Sequence, residues 1–260
     1  MITHGTPYDF FWYQVLSALA GSQGRYNISL RPVMEAAAID QCVADGTAAI
    51  ATTLADADAL ASAIGRATDA GVRMVTFNSG SDCAPDVGAV AHVASDETAV
   101  GRIAFEQFLA RDVSGEVLGI IHEPTNRGFK ECCDALGASY DGGEVRRPRI
   151  SESDQDAVTK IAGAVTDNLG GARALNANTA DDMAAASAND QPSEVLAAVF
   201  ADFPRPLAML AAERLSLMLW SHALDQGYQA GRRCSSRTVA PSRPRPICSA
   251  ALRRSTFSRR

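Results

Sequence analysis

The feature that most constrains the fold is an alternation that runs from the start of the chain to about residue 150. Short apolar runs rich in β-formers alternate with longer segments in which apolar residues recur every three to four positions. A chain written this way builds repeated βα units, whose helices pack on a parallel sheet. Strands are predicted at Ile2-Thr3, Ile28–Leu30, Ala48–Ala51, Val72–Phe77, Ala89–Val93 and Val117–Ile121. Helices are predicted over about 10–24, 34–45, 56–70, 96–111, 126–139 and 154–169. Asp56 and Ser95 or Asp96 stand where N-caps belong, and Gly46 and Gly71 where two helices stop. In sheets of this kind ligands bind beyond the carboxyl ends of the strands, so the loops after the strands are the places to search.

Past residue 150 the pattern fades. A strand from Glu144 to Ile150 and another at Ala172–Asn176 are predicted, then alanine-rich helix from Asp181 to about Gln229, broken by Pro192, Pro204 and Pro206. Residues 231–260 lose apolar period and read as a basic disordered tail with nine arginines and no acidic residue. The overall charge of −6 therefore hides a body with 15 basic and 30 acidic groups. A field of that sign argues against nonspecific binding to nucleic acid or anionic membrane. No apolar run approaches the roughly 18 residues of a spanning helix, and no export signal precedes Thr3-His4-Gly5. The six cysteines show no CxxC spacing and no His at metal-ligand intervals, so neither metal nor cofactor is expected. Cys132 and Cys133 are adjacent, which strains a mutual disulfide and leaves pairing with Cys83 or buried thiols.

Five of the sixteen aromatic residues lie in Tyr8-Asp9-Phe10-Phe11-Trp12-Tyr13, just after the first strand. Aromatic faces stack on the C–H faces of a sugar ring and an adjacent Asp accepts from hydroxyls, but the same residues suit a first helical turn packed on a sheet edge. Asn78, after the fourth predicted strand, can donate to and accept from a hydroxylated ligand or simply serve a turn. His4 and His122 at strand ends hint weakly at acid–base chemistry. The sequence has no GxSxG, HExxH, GxGxxG or Walker A motif to activate a nucleophile, hold a catalytic metal or cradle a phosphate.

Taken together, Ile2–Asp9 with Phe11-Trp12, Ala38-Ile39-Asp40-Gln41, Asp45-Gly46, Ala51–Leu54, Val75–Gly80, His92–Glu97 and His122–Asn126 resemble the type I periplasmic sugar-binding proteins of ABC transporters. These are the ribose-binding-like group related to lac-repressor-type effector domains. The resemblance covers about residues 1–176. It implies an α/β fold of two doubly wound parallel-sheet lobes, joined by a hinge, that close on a neutral monosaccharide or polyol and deliver it to a membrane permease. The implied function is binding, not turnover, by a periplasmic or cell-surface monomer. By the same resemblance Phe11 and Trp12 sandwich the sugar beside Asp9, and Asn78 and Asn176 bond its hydroxyls. Asp190 stands for the Asp of a later loop, and Asp225 or Gln226, with Gln226 preferred, for the hinge-side residue.

The chain departs from that pattern in several places. Ser79 and Cys132 stand where many relatives carry Arg, removing two charge-assisted donors. Between Asn176 and Asp190 there is no room for a full helix and the next strand, so the second lobe is expected to be incomplete. The division expected is an N-terminal lobe over 1–110, a C-terminal lobe over 111–230 and the tail over 231–260. With 22 Arg to two Lys, the tail is expected to be the product of a truncated or frame-disrupted, GC-rich gene. The alternatives are the effector domain of a regulator lacking its DNA-binding part, and a small hydrolase.

Overall fold

The computed structural model describes residues 1–4, 9–26, 36–141, 143–150, 156–187, 195–201 and 204–235. Two all-parallel sheets organise them. In the first, β1 (Ala49–Thr53), β2 (Arg73–Phe77) and β3 (Ala91–Val93) lie in sequence order, and Ile2 adds a parallel bridge to Thr52. In the second, β4 (Glu116–Ile120) lies between β5 (Val145–Arg146) and β6 (Leu169–Ala174). Beyond β6 come β7 (Leu196–Ala201) and then β8 (Leu217–Trp220). Strands covered on both faces bury every side chain, which is why Ile50-Ala51 and Val117-Leu118 read as unbroken apolar runs.

The helices are α1 (Phe10–Tyr26), α2 (Ala36–Ala44), α3 (Ala57–Asp69), α4 (Glu97–Leu109), α5 (Arg127–Ser139), α6 (Ala157–Ala162), α7 (Ala177–Ser187), α8 (Arg205–Ala211) and α9 (Ala223–Ser235). Capping follows the sequence: Asp56 accepts from the Ala59 N–H at 3.0 Å and Asp96 from the Ala99 N–H at 2.8 Å. Gly71 turns the chain from α3 into β2 at φ +79°, a region that favours glycine.

Each sheet is doubly wound. On the first, α2 and α3 bury Ile39, Ile50, Ile64 and Met74, while α1 and α9 bury Val15, Leu19, Val75 and Phe77 on the other face. On the second, α6, α7 and α8 enclose Ile120, Ile161, Met183 and Met209, while α4 and α5 enclose Phe108, Val117, Leu136 and Leu219. Burying one such side chain contributes about 1.5–3 kcal/mol. Two helices change sides: α4 follows β3 but packs on the second sheet, and α9 follows β8 but packs on the first. The chain thus crosses between the two bodies at residues 94–96 and again at 221–222. Where α4 meets α5, a Cβ on Gly101 would collide with the Cys132 carbonyl, so only glycine allows that approach.

Several expectations need correction. The region expected to be helical from Asp181 to Gln229 contains β7 and β8, and β7, beyond residue 190, is the interior strand that did not fit before it. Leu196–Ala201 is a short apolar run among alanines, where periodicity does not separate a buried strand from a helix. The helix expected over 154–169 ends at Ala162, where Gly163 caps it, and β6 begins already at Leu169. Helix α9 continues to Ser235, past the expected start of the tail, because Ala230 and Cys234 pack on the first sheet and Arg73 donates to the Cys234 carbonyl at 3.1 Å. The expected strand at Ile28–Leu30 and residues 236–260 of the tail lie outside the described residues. Among the described residues no helix is long and apolar enough to cross a membrane.

Candidate functional site

Between the two sheets, where strand carboxyl ends and helix N-termini converge, lies a cleft of about 570 Å³ counted out to its mouth. One wall is the start of α1. Asp9 Oδ1 accepts the Phe11 N–H at 2.8 Å and Asp9 also bonds the Asn176 side chain. Burial, helped by the charge of Glu123, raises its carboxyl above the usual value against those bonds. Phe11 is half-buried, whereas Trp12 is 4% exposed and set edge-on to His4 and Phe11 at centroid distances of 4.7 and 4.9 Å. Trp12 anchors the core against Val15, Val75 and Phe77, as the packing reading of the hexapeptide expects, and also lines the cleft. Tyr8 lies outside the described residues.

The floor is a chain of amides. Asn78 ends β2 in the left-handed region at φ +69°, which Asn tolerates. Its Nδ2 donates to Gln226 Oε1 at 3.5 Å and its Oδ1 accepts from Ser79 Oγ at 3.2 Å. Gln226 Nε2 donates to the Ser221 carbonyl at 2.8 Å and to Ser95 Oγ at 3.3 Å. The structure separates the two hinge-side candidates: Gln226 is buried in the cleft, while Asp225 is exposed and pairs with His222 at 3.3 Å. Asn176, after β6, accepts the Thr179 N–H at 2.8 Å in the first turn of α7. Phe11, Trp12, Asp9, Asn78, Asn176 and Gln226 thus meet in one cleft. Asp190 lies outside the described residues.

The opposite wall holds groups that sequence reasoning did not assign to ligand binding. Glu123, after β4, meets His4 Nε2 at 3.4 Å and accepts from Asn126 Nδ2 at 2.6 Å. Burial opposes its ionisation, but His4, His122 and Asn126 outweigh that and hold its carboxyl at about 2. His122 packs against Phe129 with ring centroids 4.5 Å apart and the planes tilted by 44°, and burial lowers its imidazole to about 4. Phe129 and Phe200 add aromatic surface from α5 and β7. Glu97, at the start of α4, is 5% exposed, and burial pushes its carboxyl up to about 8 although the Arg173 guanidinium lies near. Phe200 was hidden in the stretch read as helix. Glu97 closes the His92–Glu97 motif but is given no ligand role by it, because which face of a helix start meets a cleft depends on the second sheet. Ser79 and Cys132, at the positions expected to lack Arg, are both buried. Cys42, Cys83, Cys132, Cys133 and Cys234 are free thiols. Among the described residues no group of three or more His, Cys, Asp or Glu side chains is placed to hold a metal ion.

Two doubly wound parallel sheets with a ligand-sized cleft between them define a type I periplasmic binding protein fold. The chain belongs to the periplasmic binding protein domain family, which matches residues 31–232. It is similar to a carbohydrate transporter protein from Acidothermus cellulolyticus solved in complex with myo-inositol, with 25% identity, a TM-score of 0.82, and 89% of this chain and 83% of that chain covered. It shares its fold with a sugar ABC transporter sugar-binding protein from Bacillus halodurans (22% identity, TM-score 0.70, coverage 90% and 85%). The same holds for the arabinose-binding protein AraP from Geobacillus stearothermophilus (19% identity, TM-score 0.69, coverage 89% and 84%). No curated protein matches the chain. The fold is the one these solved sugar-binding and carbohydrate-transport proteins share.

Proposed function

We propose that the cleft binds a neutral monosaccharide or polyol, and that closure of the two bodies around it presents the ligand to the permease of an ABC transporter. The observation that carries this reading is the convergence in one cleft of aromatic surface (Phe11, Trp12, Phe129, Phe200) with a carboxyl and amide set (Asp9, Asn78, Asn176, Gln226). Rings cover the C–H faces of a polyol while amides and carboxylates take its hydroxyls. The complex of the Acidothermus protein with myo-inositol supports a cyclic polyol of that size. The protein acts as a monomer on the outer side of the cytoplasmic membrane, in the periplasm or at the cell surface. It binds without turnover: His122, the nearest candidate for acid–base work, is packed on Phe129 beside Glu123 as part of the wall.

The test is a thermal melt, followed by Trp fluorescence, with and without pentoses, hexoses and inositols at millimolar concentration. A ligand that binds the folded state raises a cooperative transition. A melt indifferent to every sugar overturns the reading.

A further inference from the structure

The hydrogen-bonding capacity of the cleft is unevenly spent. Its amides already donate within the wall: Asn78 to Gln226, Gln226 to both Ser95 and Ser221, and Asn176 to Asp9. Acceptors remain in excess. The ionisable side chains lining the cleft are the carboxyls of Asp9, Glu97 and Glu123 and the imidazoles of His4 and His122, with no Lys or Arg among the described residues. Glu123 is satisfied by His4 and Asn126. Glu97 is not: the Cys132 thiol reaches its carboxyl and the side chain lines the cleft, but Oε2 is buried without a hydrogen-bond partner.

We propose that Glu97 contacts the ligand, and that the cleft prefers a monosaccharide or polyol bearing an amino group to its neutral parent. This rests on the sugar-binding function proposed above. An orphaned buried carboxyl oxygen is costly, and a protonated amine offers three donors and no acceptor, the complement of this wall. Arg173 lies behind Glu97 in the core of the second sheet, where it faces Cys132, Cys133 and Phe200 and does not line the cleft. Asp96 and Glu131 add negative charge near Glu97 from α4 and α5. Burial keeps the Glu97 proton in the empty cleft, so an arriving ammonium releases that proton to solvent and pairs with the carboxylate left behind.

The experiment is calorimetric titration of the full chain at pH 7 with two matched pairs, scyllo-inosamine against scyllo-inositol and D-glucosamine against D-glucose. At least one amine is expected to bind tenfold or more tightly than its parent. Its heat is expected to vary with the ionisation enthalpy of the buffer, reporting proton release, while the heat of the parent does not. In Glu97→Gln the ratio of amine to parent affinity is expected to fall to within twofold. Parents binding as tightly as amines, or an amine advantage that survives Glu97→Gln, overturns the proposal and leaves the sugar-binding function standing. Failure of all four compounds to bind at millimolar concentration overturns the amine preference, and the wider sugar panel then decides the sugar-binding function. The matched pairs and proton release decide the question on the parent protein even if the variant does not fold.

Discussion

Arg127, in the first turn of α5, reaches Asp82, in the turn after β2, at 2.6 Å and so joins the bodies of the two sheets beside the cleft. A second tie lies close by, since the Arg127 N–H donates to the Ala55 carbonyl at 3.2 Å. Although burial opposes it, Arg127 holds the Asp82 carboxyl well below the usual range.

Both side chains of this pair are substantially exposed, and exposed ion pairs contribute about 0–1 kcal/mol. Asp82→Asn is therefore predicted to change thermal stability little while favouring separation of the two bodies. Small-angle scattering of the ligand-free protein should show a larger radius of gyration in the variant than in the parent. Identical scattering curves would show that the pair does not hold the bodies together.

Stability should depend on pH in two opposed ways. Burial raises Glu97 to about 8, and burial with a shared hydrogen bond to Asp82 raises Glu131 to about 7. Between their unfolded values and these folded ones the native state binds more protons, so stability falls as pH rises toward 8. Burial lowers His92 and His122 to about 4, so there the unfolded state binds more protons and stability is lost as pH falls from about 6.5 to 4. The two effects oppose one another between about pH 4.5 and 6.5, where the melting temperature should be highest. Glu97→Gln should flatten the alkaline side, and an unchanged slope between pH 6.5 and 8 in that variant would count against the burial of its carboxyl.

The two aromatic residues assigned to ligand stacking should separate on mutation. Trp12 is core, and Trp12→Ala should destabilise the fold by about 3–5 kcal/mol. Phe11 is half-buried, so Phe11→Ala should cost less stability yet weaken sugar binding tenfold or more. Denaturant melts and sugar titrations on both variants check this, and undiminished binding in Phe11→Ala would remove that residue from the site.

Arg173 is fully buried on β6, and none of its guanidinium nitrogens has an oxygen partner. A buried charge without hydrogen-bond partners is costly, and an apolar side chain of similar volume removes that cost. Arg173→Met is predicted to raise the melting temperature, and a lowered one would mean that the charge is better compensated than its surroundings indicate.

Among the described residues, the helices and strands of the first half were legible because each βα unit carries its own local signals. Asp56 and Asp96 cap where expected, and α3 and α5 start within a residue or two of prediction. Asp9, Phe11 and Asn78 were legible as strand-end residues, and Asn176 and Gln226 through the family resemblance; all five line the cleft. What stayed hidden depends on the other sheet. Phe200 looks like any apolar residue in an alanine-rich stretch, and Glu97 looks like a first-turn acid until α5 buries it. The burial of Trp12 was equally invisible, since the same hexapeptide suits a binding face and a core anchor.

The exchange of α4 and α9 between the sheets bears on how the molecule comes apart. Because the second body takes a helix from the first half of the chain and the first body takes its covering helix from the end, no single backbone cut yields two self-sufficient fragments. A protease that nicks the turn near Gly115 would leave each product missing a layer of its own core, and the two halves would hold together as a complementing pair. The same interlocking makes a tandem gene split at that point a poor route to either lobe alone, and it couples the melting of one body to the integrity of the other.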